Sequence, residues 1–225
     1  MARFSRMQVL NAVIESGLVP LFYNADFEVS KQVAAACEAG GARVLEFTNR
    51  GDFAIDVFTQ LSKHLAEQNS QLILGIGSVV DAPTAAMYMA AGANFVVGPV
   101  LNPEVARVCN RHKVAYMPGC GTLSEISQAE ELGVEIVKIF PGTSVGGPGF
   151  VKAVMGPCPW TRIMPTGGVD ASEENLRAWF EAGATCVGMG SKLIEKSLVA
   201  AGDYAALTEK VALVLQRINA IRNSN

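Results

Sequence analysis

Histidine is almost missing from this chain: His64 and His112 are the two in 225 residues. That leaves no serious candidate for a histidine-based triad or a histidine-rich metal site. His64 falls in a polar helical face and His112 just past a helix end, and both read as solvated structural residues. Cysteine is sparse as well. The five, at 37, 109, 120, 158 and 186, are odd in number, scattered and free of Cys-x-x-Cys spacing. They suit reduced thiols in a cytoplasmic protein better than a disulfide framework or a zinc site. Charged residues make up 17%, the formal net charge is −3, and no run of Lys or Arg occurs. A phosphate-backbone surface, and with it a nucleic-acid partner, is therefore not expected. Long apolar runs are lacking too. The one long uncharged stretch, between Asp81 and Glu104, is broken by Gly92, Gly98, Pro99 and Pro103 and reads as helix, turn and strand, not as a membrane span. At the N-terminus Met7, Leu10, Val13 and Ile14 form an amphipathic pattern unlike the apolar core of a signal peptide.

What is present is hydrophobic material, 50% of the chain, in a regular order. Short apolar runs at 18–22, 43–47, 72–75, 95–97, 115–117, 134–142, 162–165 and 185–188 read as strands. Helical patterns fill the spaces at 27–39, 52–67, 81–91, 103–110, 123–132, 150–155, 172–182 and 192–197, after a first helix to about residue 16 and before a last one at 204–221. Several helices end in a glycine phrase, as in Ala91-Gly92-Ala93 and Ala182-Gly183-Ala184, that turns the chain back into a strand. Eight such units without a linker predict a single domain over 1–225. The expected fold is a (β/α)8 TIM barrel with an N-terminal helix before strand 1, and a doubly wound open sheet is the alternative.

In such a fold function gathers where strands end and βα loops begin. Seven of those ends are polar or glycine-rich, whereas the opposite connections carry mostly Ala and Gly caps. Lys138 sits inside an apolar strand between Val137 and Ile139. A buried ammonium is costly to desolvate, so its amine tends to become neutral and nucleophilic towards carbonyls, unless the head escapes along the strand to solvent. Glu46 interrupts another apolar strand near its end. A carboxyl group beside an amine suits Schiff-base chemistry, with Lys138 attacking a ketone and Glu46 moving protons. Arg50, just beyond, is placed to hold a carboxylate in a two-pronged hydrogen bond. The alternative is a central Glu46–Lys138 ion pair with Arg50 solvated. Gly167-Gly168 and Gly190-Ser191, on the last two loops, form a second constellation where backbone N–H groups and a following helix could receive a phosphate, with Lys192 and Lys152 as possible neutralising charges. The alternative there is simple turn glycines.

Four segments together resemble a known family. Leu45-Glu46-Phe47-Thr48-Asn49-Arg50, Gly75-Ile76-Gly77-Ser78-Val79, Val137-Lys138-Ile139-Phe140-Pro141 and Pro165-Thr166-Gly167-Gly168-Val169 are similar, in order and spacing, to 2-keto-3-deoxy-6-phosphogluconate (KDPG) and 4-hydroxy-2-oxoglutarate (KHG) aldolases. The resemblance runs from about Leu18 to Leu193. It implies a class I aldolase on a (β/α)8 barrel, a homotrimer needing no metal and no cofactor, whose partner is a small 2-keto acid. Lys138 then resembles the Schiff-base lysine, Glu46 the general acid and base, and Arg50 the anchor of the pyruvate carboxylate. Ser78 falls where many members have Thr, Pro99 and Phe140 resemble pocket walls, and Thr166 a substrate contact. Gly167, Gly168, Gly190 and Ser191 resemble the phosphate pocket. Asn49 stands where an apolar residue is common, and Gly188-Met189-Gly190-Ser191-Lys192 departs from the more usual Gly-Gly-Ser-Trp. Cleavage of KDPG to pyruvate and glyceraldehyde 3-phosphate is the leading expectation. KHG, the galactonate epimer, or a non-catalytic binder of a sugar-acid phosphate stay open beside it.

Overall fold

Residues 2–224, which the computed structural model describes, realise the expected alternation as ten helices and nine strands. Helix α1 (Arg6–Ser16) opens on a reciprocal cap between Ser5 and Gln8 and stops at Gly17, whose φ of 69° a side chain would resist. Then come β1 (Leu18–Phe22), α2 (Phe27–Ala39), β2 (Val44–Thr48), α3 (Ala54–Glu67), β3 (Ile73–Gly77), α4 (Ala82–Ala90) and β4 (Phe95–Val97). The chain continues through α5 (Pro103–His112), β5 (Ala115–Met117), β6 (Gly119–Cys120), α6 (Leu123–Glu131), β7 (Val137–Ile139) and α7 (Gly147–Met155). It ends with β8 (Ile163–Pro165), α8 (Glu173–Glu181), β9 (Val187–Met189), α9 (Lys196–Ala201) and α10 (Tyr204–Asn223). Helix α7 starts three residues before its expected position and α9 four residues after.

All the strand pairs are parallel, but they do not make the expected closed eight-stranded barrel. The ladder divides into a six-stranded sheet, β5-β4-β3-β2-β1-β9, and a three-stranded sheet, β6-β7-β8. Two prolines lie at the seams. Pro118 has no N–H to offer a ladder, so the chain changes partner there: β5, the fifth expected strand, ends before it and pairs with β4, while an unexpected short strand, β6, follows it and pairs with β7. At the other seam Pro165 closes β8, and an isolated bridge between Thr166 and Gly188 links that end to β9. The architecture is α/β, a six-stranded parallel half-barrel with a small second sheet.

Side chains along each strand alternate between two cores. Leu45, Phe47, Val137, Ile139 and Ile163 point outwards into the large cluster shared with the helices. Val44, Ile73, Phe95, Ile136 and Met164 point inwards to a smaller cluster that α1 closes with Val9, Leu10, Ala12 and Val13. That inner cluster fills the end of the molecule where the strands begin. One layer further along the strands the inward positions change character, and the site lies there. Among the described residues no helix is long and apolar enough to cross a membrane.

Candidate active site

Strand periodicity explains why three distant polar residues share one interior. Glu46 follows Val44 by two positions, Lys138 follows Ile136 and Thr166 follows Met164, so each continues an inward column above its apolar neighbour. Their exposures are 2% for Glu46, 5% for Lys138 and 7% for Thr166. Lys138 is therefore not an edge lysine with its head in water. Nor does it neutralise Glu46 directly, for among the described residues no ion pair within 4.0 Å joins the two. The Lys138 ammonium sits 4.8 Å from the centre of the Phe140 ring, a distance at which an aromatic face favours the cation.

Small residues make room for this layer. A Cβ on Gly77 would lie 1.7 Å from Glu46 Oε1, and one on Gly188 would lie 2.3 Å from Thr166 Oγ1. Glu46 Oε2 and Thr166 Oγ1 are buried without a hydrogen-bond partner in the protein. Unpaired oxygens of this kind cost stability and are rare in a core, which marks the layer as built for something other than packing. Burial raises the Glu46 carboxyl above the ordinary carboxylate value, against the opposing pull of Lys138 and Arg50. Burial also lowers the Lys138 amine; Glu46 opposes that shift and Arg50 adds to it. Burial thus pushes the carboxyl towards its protonated form and the amine towards its neutral one.

Arg50 lies in the turn after β2 and is exposed, with its Nε donating to Ser78 Oγ at 3.2 Å. Ser78 reaches that place from the end of β3 in a left-handed conformation, φ 60°. Arg50, Thr48, Gly190 and Ser191 line one cavity of roughly 680 Å³, together with Leu21, Phe22, Tyr23 and Lys196. Gly167 and Gly168 are not in that lining. They adopt φ of 88° and 81° and pack on the loop after β7, where Gly142 donates to Thr166 O at 2.8 Å and Thr143 to Gly167 O at 3.2 Å. The structure thus brings Lys138, Glu46, Thr166 and Phe140 to one interior layer and joins Arg50 with Ser78, Gly190 and Ser191 beside it. Pro99 is half-buried at the end of β4, its carbonyl against Gly119. Lys152 and Lys192 are exposed, and no helix follows Ser191 directly, because Gly190 O accepts from Leu193 and Ile194 in a turn instead. His64 packs edge-on to Phe27 at 6.2 Å. Among the described residues no group of three or more His, Cys, Asp or Glu could hold a metal ion.

Sequence reasoning singled out Asn49 only as a departure from the family pattern and missed Tyr88 and Tyr23, which hold the residues on either side of Arg50. Tyr88 donates its hydroxyl to Asn49 Oδ1 at 2.8 Å, and a Cβ on Gly51 would meet the Tyr23 hydroxyl at 2.0 Å. The signal available was a tyrosine on the inner side of a helical pattern, whose hydroxyl has to find a partner when buried.

Comparison with known proteins places this geometry. The family model for KDPG and KHG aldolases matches residues 9–210. The chain is 36% identical over 186 residues to the 2-dehydro-3-deoxy-phosphogluconate aldolase of Pseudomonas aeruginosa, covering 82% of this chain and 81% of that one. It is 32% identical over 193 residues to the KHG/KDPG aldolase of Escherichia coli K12, covering 85% and 87%. Among solved structures, the KDPG aldolase of Legionella pneumophila, with pyruvate captured as a covalent carbinolamine, superposes with a TM-score of 0.82 at 26% identity, covering 90% of this chain and 96% of that one. The chain belongs to the KDPG and KHG aldolase family.

Proposed function

We propose that this chain is a class I aldolase that cleaves KDPG reversibly to pyruvate and glyceraldehyde 3-phosphate, and KHG to pyruvate and glyoxylate. The observation that carries the reading is a buried lysine whose amine is shifted towards neutrality, in one interior layer with a carboxyl shifted towards protonation. Lys138 Nζ attacks the C2 ketone, and Glu46 gives a proton to the departing oxygen, so that water leaves and an iminium forms. Arg50 holds the substrate carboxylate, with Ser78 beside it. Glu46, now a carboxylate, takes the proton of the C4 hydroxyl, directly or through water. The C3–C4 bond breaks, its electron pair moves into the iminium to give an enamine, and the aldehyde departs. Protonation at C3 and hydrolysis release pyruvate and restore the amine. The Phe140 face stabilises the cationic nitrogen during these steps. Thr166 offers its unpartnered hydroxyl to the substrate, and Pro99 walls the pocket.

The phosphate of KDPG is assigned to Gly167, Gly168, Gly190 and Ser191. The bridge between Thr166 and Gly188, which draws the ends of β8 and β9 together, supports that assignment. The same reading takes 1–225 as one domain in a cytoplasmic homotrimer without cofactor. In support, the five cysteines are free, and Phe53, Val80, Met87 and Val100 are exposed on segments that follow the neighbouring strands β2, β3 and β4. Sedimentation velocity at micromolar protein tests the trimer. The chemistry is tested by incubating the protein with pyruvate and borohydride and mapping the adduct by peptide mass. Reduction is expected to fix pyruvate on Lys138. A folded protein that gives no adduct with pyruvate in excess would remove the mechanism.

A further inference from the structure

Arg50 is an exposed residue on a turn, and an exposed arginine has much rotamer entropy to lose before it can bind anything in a fixed pose. The surroundings of this one hold its side chain and the residues on either side of it. From β3, Gly77 O accepts from Asn49 N at 2.9 Å and Ser78 Oγ accepts from Arg50 Nε at 3.2 Å. From β1, the Tyr23 ring packs edge-on to Phe47, with centroids 5.6 Å apart, and its hydroxyl lies so close over Gly51 that no side chain fits there. From α4, Tyr88 reaches up through the core to donate to Asn49 Oδ1 at 2.8 Å. Tyr88 is 0% exposed and packs at right angles on Phe58, 5.1 Å between ring centres, so the hydroxyl is aimed by a rigid ring. Burial pushes its phenol up to about 12, which keeps it a donor through the whole neutral range.

We propose that Tyr88 and Asn49 are positioning residues for carboxylate recognition, fixing the turn so that the Arg50 guanidinium is already oriented when a 2-keto acid arrives. The inference rests on the reading of Arg50 as the carboxylate anchor. Core packing alone does not call for the pair: an apolar residue at 49 over an apolar residue at 88 would leave no hydroxyl to satisfy, and replacing both partners of a hydrogen bond together is often nearly neutral for stability. What the polar pair adds is direction. Preorganisation of a binding group acts on affinity, because less ordering remains to be done on binding. The effect belongs in the binding of keto acids and not in the later chemistry at Lys138.

The test compares Tyr88→Phe, Asn49→Leu, the double variant and Arg50→Ala with the parent protein. Each is read by the pyruvate concentration that half-saturates borohydride trapping, by kcat and KM for KDPG cleavage, and by thermal midpoint. Tyr88→Phe and Asn49→Leu are each expected to raise half-saturation and KM about three- to tenfold, with kcat within about twofold. The double variant is expected to be no worse than either single one, as for a shared interaction. If Arg50→Ala raises half-saturation while neither Tyr88→Phe nor Asn49→Leu does, the positioning role is refuted and the anchor stands. If Arg50→Ala leaves half-saturation unchanged, the anchor itself is refuted, and the inference falls with it. A lower thermal midpoint with parental half-saturation in both single variants would assign the pair to stability alone. Asn49→Leu alters a half-buried turn position, so it serves as the readout should Tyr88→Phe fold poorly.

Discussion

The most economical way to disturb this site is a single methyl group that touches none of the reacting atoms. Gly77 lies at the end of β3 with its backbone outside the left-handed region, so alanine is conformationally acceptable there. Its Cβ, however, would stand 1.7 Å from Glu46 Oε1, 2.5 Å from Cδ and 2.8 Å from Cγ. Non-bonded carbon contacts settle at about 3.5–4.0 Å, so the carboxyl group has to retreat by more than ~1.5 Å, and three atoms of the side chain have to move with it. The obstacle is the end of one side chain and not backbone, so the fold should survive. Overpacking of this kind costs about 1–3 kcal/mol, which for a chain of this length lowers the thermal midpoint by roughly 2–12 °C. Catalysis is expected to suffer more. A displacement of about 1 Å in a positioned group can cost ~100-fold, equivalent to about 2.7 kcal/mol of barrier. We therefore expect Gly77→Ala to fold, to keep its Lys138 trappable by pyruvate and borohydride on long incubation, and to lose about two orders of magnitude in kcat for KDPG cleavage, measured by coupling pyruvate release to NADH oxidation. A folded Gly77→Ala protein with kcat within threefold of the parent would refute the placing of Glu46 as the group that moves protons.

Three further outcomes follow from the same layer. Lys138→Met should abolish both trapping and turnover while leaving the thermal midpoint unchanged or higher at neutral pH, because a buried amine is exchanged for an apolar chain of similar length; an unfolded variant would contradict it. The rate of pyruvate trapping needs the neutral amine, so it declines as pH falls through the Lys138 pKa, and Arg50 depresses that pKa while Glu46 raises it. Arg50→Ala should accordingly move the acid limb of the trapping rate, at saturating pyruvate, to higher pH, and Glu46→Gln should move it to lower pH. Equal displacement of both variants in the same direction would contradict this arrangement of charges. Phe140→Leu should weaken the hold on the cationic nitrogen by roughly 0.5–2 kcal/mol, and a pH profile of trapping identical to the parent's would argue against the ring's part.

Much of the element order was legible because each element carries its own local signal. Helix α2 was expected at 27–39 and is found at Phe27–Ala39, between an Asp26 cap and a glycine stop. Strands β1, β4 and β5 have the expected bounds, since each is an apolar run with a turn on either side. Closure of the sheet was not legible. Counting units predicts how many strands there are, but pairing across a seam depends on whether the residue at the right height has an N–H to give. Pro118 takes that donor from the position just after the fifth expected strand, and Pro165 takes it from the end of the seventh. Both prolines are visible in the sequence, yet which neighbour they face is settled only when the strands are assembled.

The site divides along a similar line. Glu46 and Lys138 could be picked out because a charge inside an apolar strand breaks a pattern, and period two then puts each on the inner face above Val44 and Ile136. Nothing comparable marks Tyr88. It sits in Ala82–Ala90 where any large apolar residue would keep the helical pattern, and its meaning lies in one hydroxyl that finds Asn49, 39 positions away. The same holds for Gly77 and Gly188, whose lack of a side chain has no visible reason in the sequence until the side chains opposite them are known. A lone charge in an apolar strand must have a reason within that strand, whereas a tyrosine or a glycine has its reason in whatever packs against it. For that reason the groups that do the chemistry can be nominated from sequence, and the groups that aim them have to be found in the fold.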